Sequence, residues 1–230
     1  MQRHLLICGL LIAVVTALGS PAAWAHNPVV INGGPTNASN AHIIPDISIS
    51  RVGYHNATTN APEMWYAFNA NAGDTLYAQS GIPKIDRYST LRPVMVLLGP
   101  GLPAVDVPFD VPEGYGGYIF PSEGLTPVEF DEEFTGTKSW QFPEITQTLP
   151  VTGKYYLVGY VPGDTGGKFW VAVGRSEVFG LLDIIALPVI IVKVRLFHEI
   201  FPVGGLLSWV YLGLVALIAG LVSLLTKVFA

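Results

Sequence analysis

Short apolar runs separated by Gly, Pro, Asn and Asp fill most of the chain, and only the two ends break that rhythm. "EMWYAFNA" (63–70) leads into "NAGDTLYAQSGI", with Asn71, Gly73 and Asp74 at the turn. Alternate residues of "TLYAQSGI" would face opposite sides of a sheet. "RPVMVLLGPG" reads as a buried strand stopped by Gly99, Pro100 and Gly101. "GKYYLVGYV" and "GKFWVAVG" flank "PGDTGG", a tight hairpin-like loop after which Lys168 begins a strand. Residues 46–178 show no sustained helical period. The pattern predicts a mainly β fold, an antiparallel and jelly-roll-like β-sandwich over 46–178. Residues 101–137, with "VPEGYGGYIFPSEG", form a Gly- and Pro-rich excursion, read as a functional loop or as padding over an open end of the sandwich. Residues 26–45, rich in Asn, Gly, Pro and Ser, read as a flexible arm.

The ends are apolar for another reason. Arg3, the run Leu5–Leu18, the breakers Gly19, Ser20 and Pro21, and "AWA" predict a secretory signal peptide over 1–25, cut after Ala25. Cys8, the only cysteine, lies inside it, so the mature chain would have no disulfide or thiol chemistry. Residues 204–226 carry no charge, which is enough for one C-terminal transmembrane helix, followed by a short tail at 227–230. Trp209 and Tyr211 suit its interfacial start. Residues 179–203 are apolar but carry Asp183, Lys193, Arg195, His198 and Glu199. They are expected to form an amphipathic juxtamembrane helix, with Lys193 and Arg195 reaching lipid phosphates. The alternative is a helical hairpin bending at Gly204.

Charge narrows the partners. The formal net charge is −5, and no basic stripe occurs, so a generally basic nucleic-acid binder is excluded. Eight carboxylates lie between Asp106 and Glu133 with no Lys or Arg among them. "EFDEEF" offers oxygen ligands to Ca²⁺, a surface for a basic partner, or a solvated edge that resists strand pairing. A cut after Ala25 would give His26 a free amine beside its imidazole. With His42 and His55 as further nitrogen donors, that set suits copper. His198 and Glu199 form a polar pair in an apolar stretch. No GxSxG motif occurs, and "GDTGGK" lacks the spacing of a phosphate-binding loop. Asn37 and Asn56 head glycosylation sequons.

Trp65, Tyr66, Phe68, Ala72, Gly73, Asp74, Leu76 and Tyr77, with Gly153, Tyr155, Tyr156 and Leu157, resemble the core pattern of the bacterial pre-peptidase C-terminal β-sandwich. The central excursion is longer than that family has. The segments "EEFTGTKSW", "GKFWVAVGRSEVFG" and "VRLFHE" are similar to those of uncharacterised bacterial membrane-anchored proteins. These resemblances imply a non-catalytic sandwich concerned with secretion, attachment or binding.

The combined expectation is a membrane-tethered, non-catalytic binding or assembly module outside the cytoplasm, in the periplasm or at the cell surface. Its partners would be the lipid bilayer and a protein, in the manner of an accessory subunit, and it would need no cofactor. The expected partner surface comprises Tyr115, Tyr118, Phe120, Glu129, Asp131, Glu132, Glu133 and Trp140. The alternative is a periplasmic copper-binding protein using His26, with His42 and His55.

Overall fold

The computed structural model describes residues 27–30, 36–163, 166–178, 181–202 and 204, together with Gly213 and Gly220, and among the described residues it has twelve strands, a short 3₁₀ turn at Asp86–Tyr88 and a helix after the last strand. The strands are β1 (Asn27–Val30), β2 (His42–Ile43), β3 (Arg51–Ala57), β4 (Glu63–Ala70), β5 (Thr75–Pro83) and β6 (Val94–Gly99). They continue as β7 (Gly116–Pro121), β8 (Val128–Glu132), β9 (Thr137–Gln141), β10 (Ile145–Thr148), β11 (Gly153–Tyr160) and β12 (Gly167–Val173). Helix α1 (Leu181–Phe197) follows, with Pro188 inside it.

The strands form two sheets. One has seven strands in the order β1-β3-β12-β5-β9-β8, with β10 also pairing β5; the other has five, β2-β4-β11-β6-β7. The sandwich is mainly antiparallel, with a parallel pair at one edge of each sheet, β1 on β3 and β2 on β4. Both edge strands come from the stretch expected to be a loose arm. Asn37 Oδ1 also accepts hydrogen bonds from the Ser39 and Asn40 amides, which closes a compact turn between them.

Two sequence readings change at the connections. The hairpin expected around "PGDTGG" is a crossing, because β11 pairs β4 and β6 in one sheet while β12 pairs β3 and β5 in the other. The turn at Asn71–Asp74 likewise carries the chain from one sheet to the other. There Asp74 Oδ2 accepts from the Asn71 amide at 2.7 Å, and Gly73 takes a φ of +91°.

Three apolar layers explain why the strands read as continuous rather than alternating. Between the sheets lie Tyr66, Phe68, Leu76, Leu97, Phe142, Tyr155, Leu157 and Phe169. Tyr66 ties the layers by donating its hydroxyl to the Val171 carbonyl at 3.0 Å. Gly159 lets the sheets close, since a Cβ there would meet Val171 Cγ2 at 2.7 Å. Outside the five-stranded sheet, Trp65, Val96, Tyr156 and Val158 are covered by Val105, Val107, Phe109, Val111 and Tyr115. The central excursion therefore pads a face of the sandwich, not its end.

Outside the seven-stranded sheet, Val52, Tyr54, Trp170 and Ala172 pack against Val194 and Phe197 of α1. A strand buried on both faces has no polar side to show in the sequence. The helix expected to lie on lipid thus has one face on protein, and Arg195 does not reach for phosphates. It is buried, with Nε donating to the Phe201 carbonyl at 2.7 Å and Nη1 to those of Thr135 at 2.6 Å and Gly136 at 3.1 Å.

Among the described residues no helix is long and apolar enough to cross a membrane. The signal peptide expected over 1–25 lies outside the described residues, as does nearly all of the membrane helix expected over 204–226.

Candidate functional site

The expected partner surface does not converge. β7 and β8 end the two sheets. Tyr118 and Phe120 pair in register with Leu97 and Met95, so their rings share the inner face of β7, 6.5 Å apart. Phe120 and Trp140 pack on the inter-sheet core. Tyr115 lies instead on the outer face of the five-stranded sheet, 5.7 Å from the Tyr156 ring.

The carboxylates divide as well. Glu129 stands opposite Trp140 and Asp131 opposite Lys138, on one face of β8. Lys84 donates to Glu129 at 2.6 Å and Lys138 to Asp131 at 2.6 Å. Those lysines hold the Glu129 carboxyl below its ordinary range, Lys84 first. Glu132 is on the opposite face, and Glu133 is exposed beyond the strand. "EFDEEF" is thus a charged edge strand with its own counter-ions on one side.

The expected metal ligands fare similarly. His42 is on β2 and His55 on β3, in different sheets. His55 is fully buried, with Nε2 2.9 Å from the Ala61 carbonyl and its ring 5.4 Å from Phe169. His42 is half-buried, and burial together with the charge of Arg51 lowers its pKa. His26 lies outside the described residues. Among the described residues no three His, Cys, Asp or Glu side chains gather as a metal site.

Under the end of α1, His198 joins two polar groups that the sequence does not flag, Ser139 and, through it, Trp170. Trp170 Nε1 donates to Ser139 Oγ at 3.2 Å, and Ser139 Oγ lies 3.1 Å from His198 Nε2. His198 Nδ1 is 2.8 Å from the Val194 carbonyl. That carbonyl can only accept, so Nδ1 carries the proton and Nε2 accepts from the serine. Burial lowers the His198 pKa to about 4. This Ser–His contact is sealed, with both residues buried, and it ties α1 to β9 and β12. Lys168 Nζ adds bonds to the Phe197 carbonyl at 2.8 Å and to Glu199 at 2.7 Å, and Arg87 also pairs with Glu199. The sequence-level pair of His198 and Glu199 therefore splits, one inward and one outward.

The accessible site lies where the cover of α1 ends. Ala172 belongs both to the helix-covered cluster and to a cleft of about 240 Å³ on the outer face of the seven-stranded sheet. Its lining includes Tyr77, Gln79, Gln141, Glu144, Arg175 and Glu177. Alternation along β5 points Leu76 and Ala78 into the core and Tyr77 and Gln79 outward. Gln79 Nε2 donates to the Phe142 carbonyl at 2.7 Å, and Gln141 Nε2 donates to Gln79 Oε1 at 2.8 Å. This amide ladder fixes Gln141 with its oxygen as an acceptor. Arg175 closes one wall, paired with Glu144 and 3.8 Å over the Tyr77 ring.

Phe130 joins the cleft to a void of about 10 Å³ bordered by Glu132, Tyr54, Thr137 and Trp170. Burial raises the Glu132 carboxyl to about 7, and the nearby Glu177 and Glu133 charges push the same way against the Phe134 amide. A second depression, about 750 Å³, is lined by Arg87, Arg92 and Glu123. Its cations are engaged, Arg87 by Glu199 and Arg92 by the Ser89 and Leu91 carbonyls.

No protein-family model matches the sequence, and no curated protein matches it. Among the solved structures similar to the chain, three align with 66% of its length. One is the pre-peptidase C-terminal domain of a collagenase from Bacillus anthracis, 10% identical, with 97% of that chain covered and a TM-score of 0.28. The second is CorA, a surface-associated copper-binding protein of Methylomicrobium album BG8, 12% identical, with 100% covered and a TM-score of 0.30. The third is the secreted protein MopE of Methylococcus capsulatus, also 12% identical, with 100% covered and a TM-score of 0.28. The first is of the type that Trp65, Gly73 and Tyr155 resemble in sequence. The sandwich rests on its own strand pairing.

Proposed function

We propose that the chain is a non-catalytic binding or assembly module, tethered to a membrane by residues 204–226 and facing the space outside the cytoplasm. The cleft on the outer face of the seven-stranded sheet carries this reading. It is open, it is lined by side chains held in place by one another, and at about 240 Å³ it takes one side chain of a partner rather than a whole cofactor. Its chemistry favours a donor-rich, cationic guest. Gln141 presents an oxygen, and Glu177 adds a carboxylate whose charge already bears on Glu132. A Lys or Arg from a partner protein would satisfy both groups and offset the like-charge crowding. The net charge of −5 favours the same sign of partner.

The copper reading needs His26 with a second histidine, His42 or His55; His55 would have to leave its contact with Phe169 and the Ala61 carbonyl, whereas His42 is half-buried on β2. Site-specific photocrosslinking in native membranes separates the two readings. A benzoylphenylalanine in place of Phe130, an aromatic of the lining that the reading gives no polar role, should capture one recurrent protein, and Glu177→Gln should reduce that capture. Stoichiometric copper retained through a chelator wash, with no capture at position 130, would overturn the binding-module reading.

A further inference from the structure

Helix α1 is apolar on two sides, and the sandwich covers only one. Leu187, Ile191, Val194 and Phe197 are buried. The outward side shows Val189 at 60% exposure and Leu196 at 54%, with Lys193 between them at helical spacing. Ile200 and Phe201 follow just beyond the helix, Phe201 at 74%. Glu199, which could have put a carboxylate here, is drawn aside by Arg87 and Lys168. Exposed aliphatic and aromatic side chains with one lysine form a surface that water alone does not favour.

We infer that this stripe rests on an anionic lipid bilayer, so that the sandwich is held flat against the membrane through α1 instead of swinging on a flexible tether. The inference depends on the membrane tether in the proposed function. Two observations choose lipid as the occupant. The uncharged stretch 204–226 begins three residues after Phe201, and three residues span at most roughly 10 Å, so a chain entering the bilayer at Gly204 keeps Phe201 near the headgroups. The Phe201 carbonyl is itself held by buried Arg195 at 2.7 Å, which removes slack between sandwich and entry point. Lys193 then lies level with lipid phosphates, and its apolar stem lies along the same stripe. The cleft shares this outer face of the seven-stranded sheet, so its partner would approach beside the membrane surface.

The test uses the full chain with Cys8→Ser, in vesicles of phosphatidylcholine and phosphatidylglycerol carrying headgroup nitroxide lipids. A fluorophore is placed at Leu196→Cys, or at Asp106→Cys on the opposite face of the sandwich as a reference. The expected result is flotation with the vesicles, strong quenching at Leu196 and little at Asp106. Phe201→Glu should leave flotation intact and cut quenching at Leu196 several-fold. Flotation with equal, weak quenching at both sites would overturn the inference and leave the tether standing. A Leu196 probe that is shielded but unquenched would overturn it in favour of residues 205–226 folding back on the stripe. Shielding that grows with protein-to-lipid ratio would overturn it in favour of a second copy. Failure to float would remove the tether itself, and the inference with it.

Discussion

Arg195 Nη1 donates to the Thr135 carbonyl at 2.6 Å, joining the last turn of α1 to the β8–β9 turn across sixty residues of sequence. The guanidinium is buried and has carbonyls, not a carboxylate, for partners. Burial lowers its pKa from the ordinary arginine value, yet the group stays charged. Its position makes α1 part of the sandwich.

Arg195→Ala leaves the buried Thr135 carbonyl and the part-buried Gly136 and Phe201 carbonyls without this donor. It should cost about 2–4 kcal/mol in chemical denaturation, since a buried group left unpaired costs ~1–3 kcal/mol and the two part-buried carbonyls can turn to water for less. Hydrogen exchange should speed up across α1 before it does in β6 or β11. Uniform exchange in all three would show that the helix is not fastened there.

Glu132 and His198 should oppose one another in pH dependence. His198 is lowered to about 4, so its stabilising contribution is present above 6.5 and is lost as pH falls toward 4. The shift corresponds to ~3 kcal/mol. Glu132 is raised to about 7, so it destabilises above that pH and recovers stability as pH falls toward 4.5. Between about 4.5 and 6.5 the two slopes cancel. Urea midpoints of the unaltered chain should be nearly flat in that window, and those of Glu132→Gln should fall steadily with acidification. A flat profile for Glu132→Gln would contradict the buried neutral histidine.

Gly81 sits under the Trp170 ring, so a Cβ there would drive into the indole and also meet the Trp140 carbonyl at 2.8 Å. Gly81→Ala should destabilise by about 1–3 kcal/mol. Because Trp170 supports both Ser139 and α1, tryptophan fluorescence should shift and α1 should lose exchange protection. An alanine variant with native stability would mean that the indole moves aside freely.

The sandwich was legible because turn residues punctuate it. Asn71, Gly73 and Asp74 turn the chain where expected, and Gly99 and Pro100 end β6. Sheet membership was not legible. The connection between β11 and β12 reads alike in sequence whether it joins neighbours in one sheet or crosses to the other, because only the distant partners β3 and β6 decide it. The covering ribbon left a signal that could have been read. Val105, Val107, Phe109 and Val111 point inward while Asp106 and Asp110 point out, a period of two without a strand partner. The cleft depended on register. Gln79 and Gln141 are 62 residues apart, and only the antiparallel pairing of β5 with β9 brings their amides together. Arg195 misled because a cation in an apolar segment suits a lipid phosphate as well as a set of carbonyls from a distant turn.

The most direct test of the cleft is a side-chain amide titration. The full chain, ¹⁵N-labelled at glutamine and held in nanodiscs, would be titrated with N-acetyl-arginine amide and, separately, with N-acetyl-alanine amide. The account predicts that the arginine compound moves the Gln79 and Gln141 side-chain signals, that the alanine compound does not, and that Glu177→Gln weakens the response. Unmoved glutamine signals at saturating arginine compound, or equal shifts with both compounds, would contradict a cation-accepting cleft.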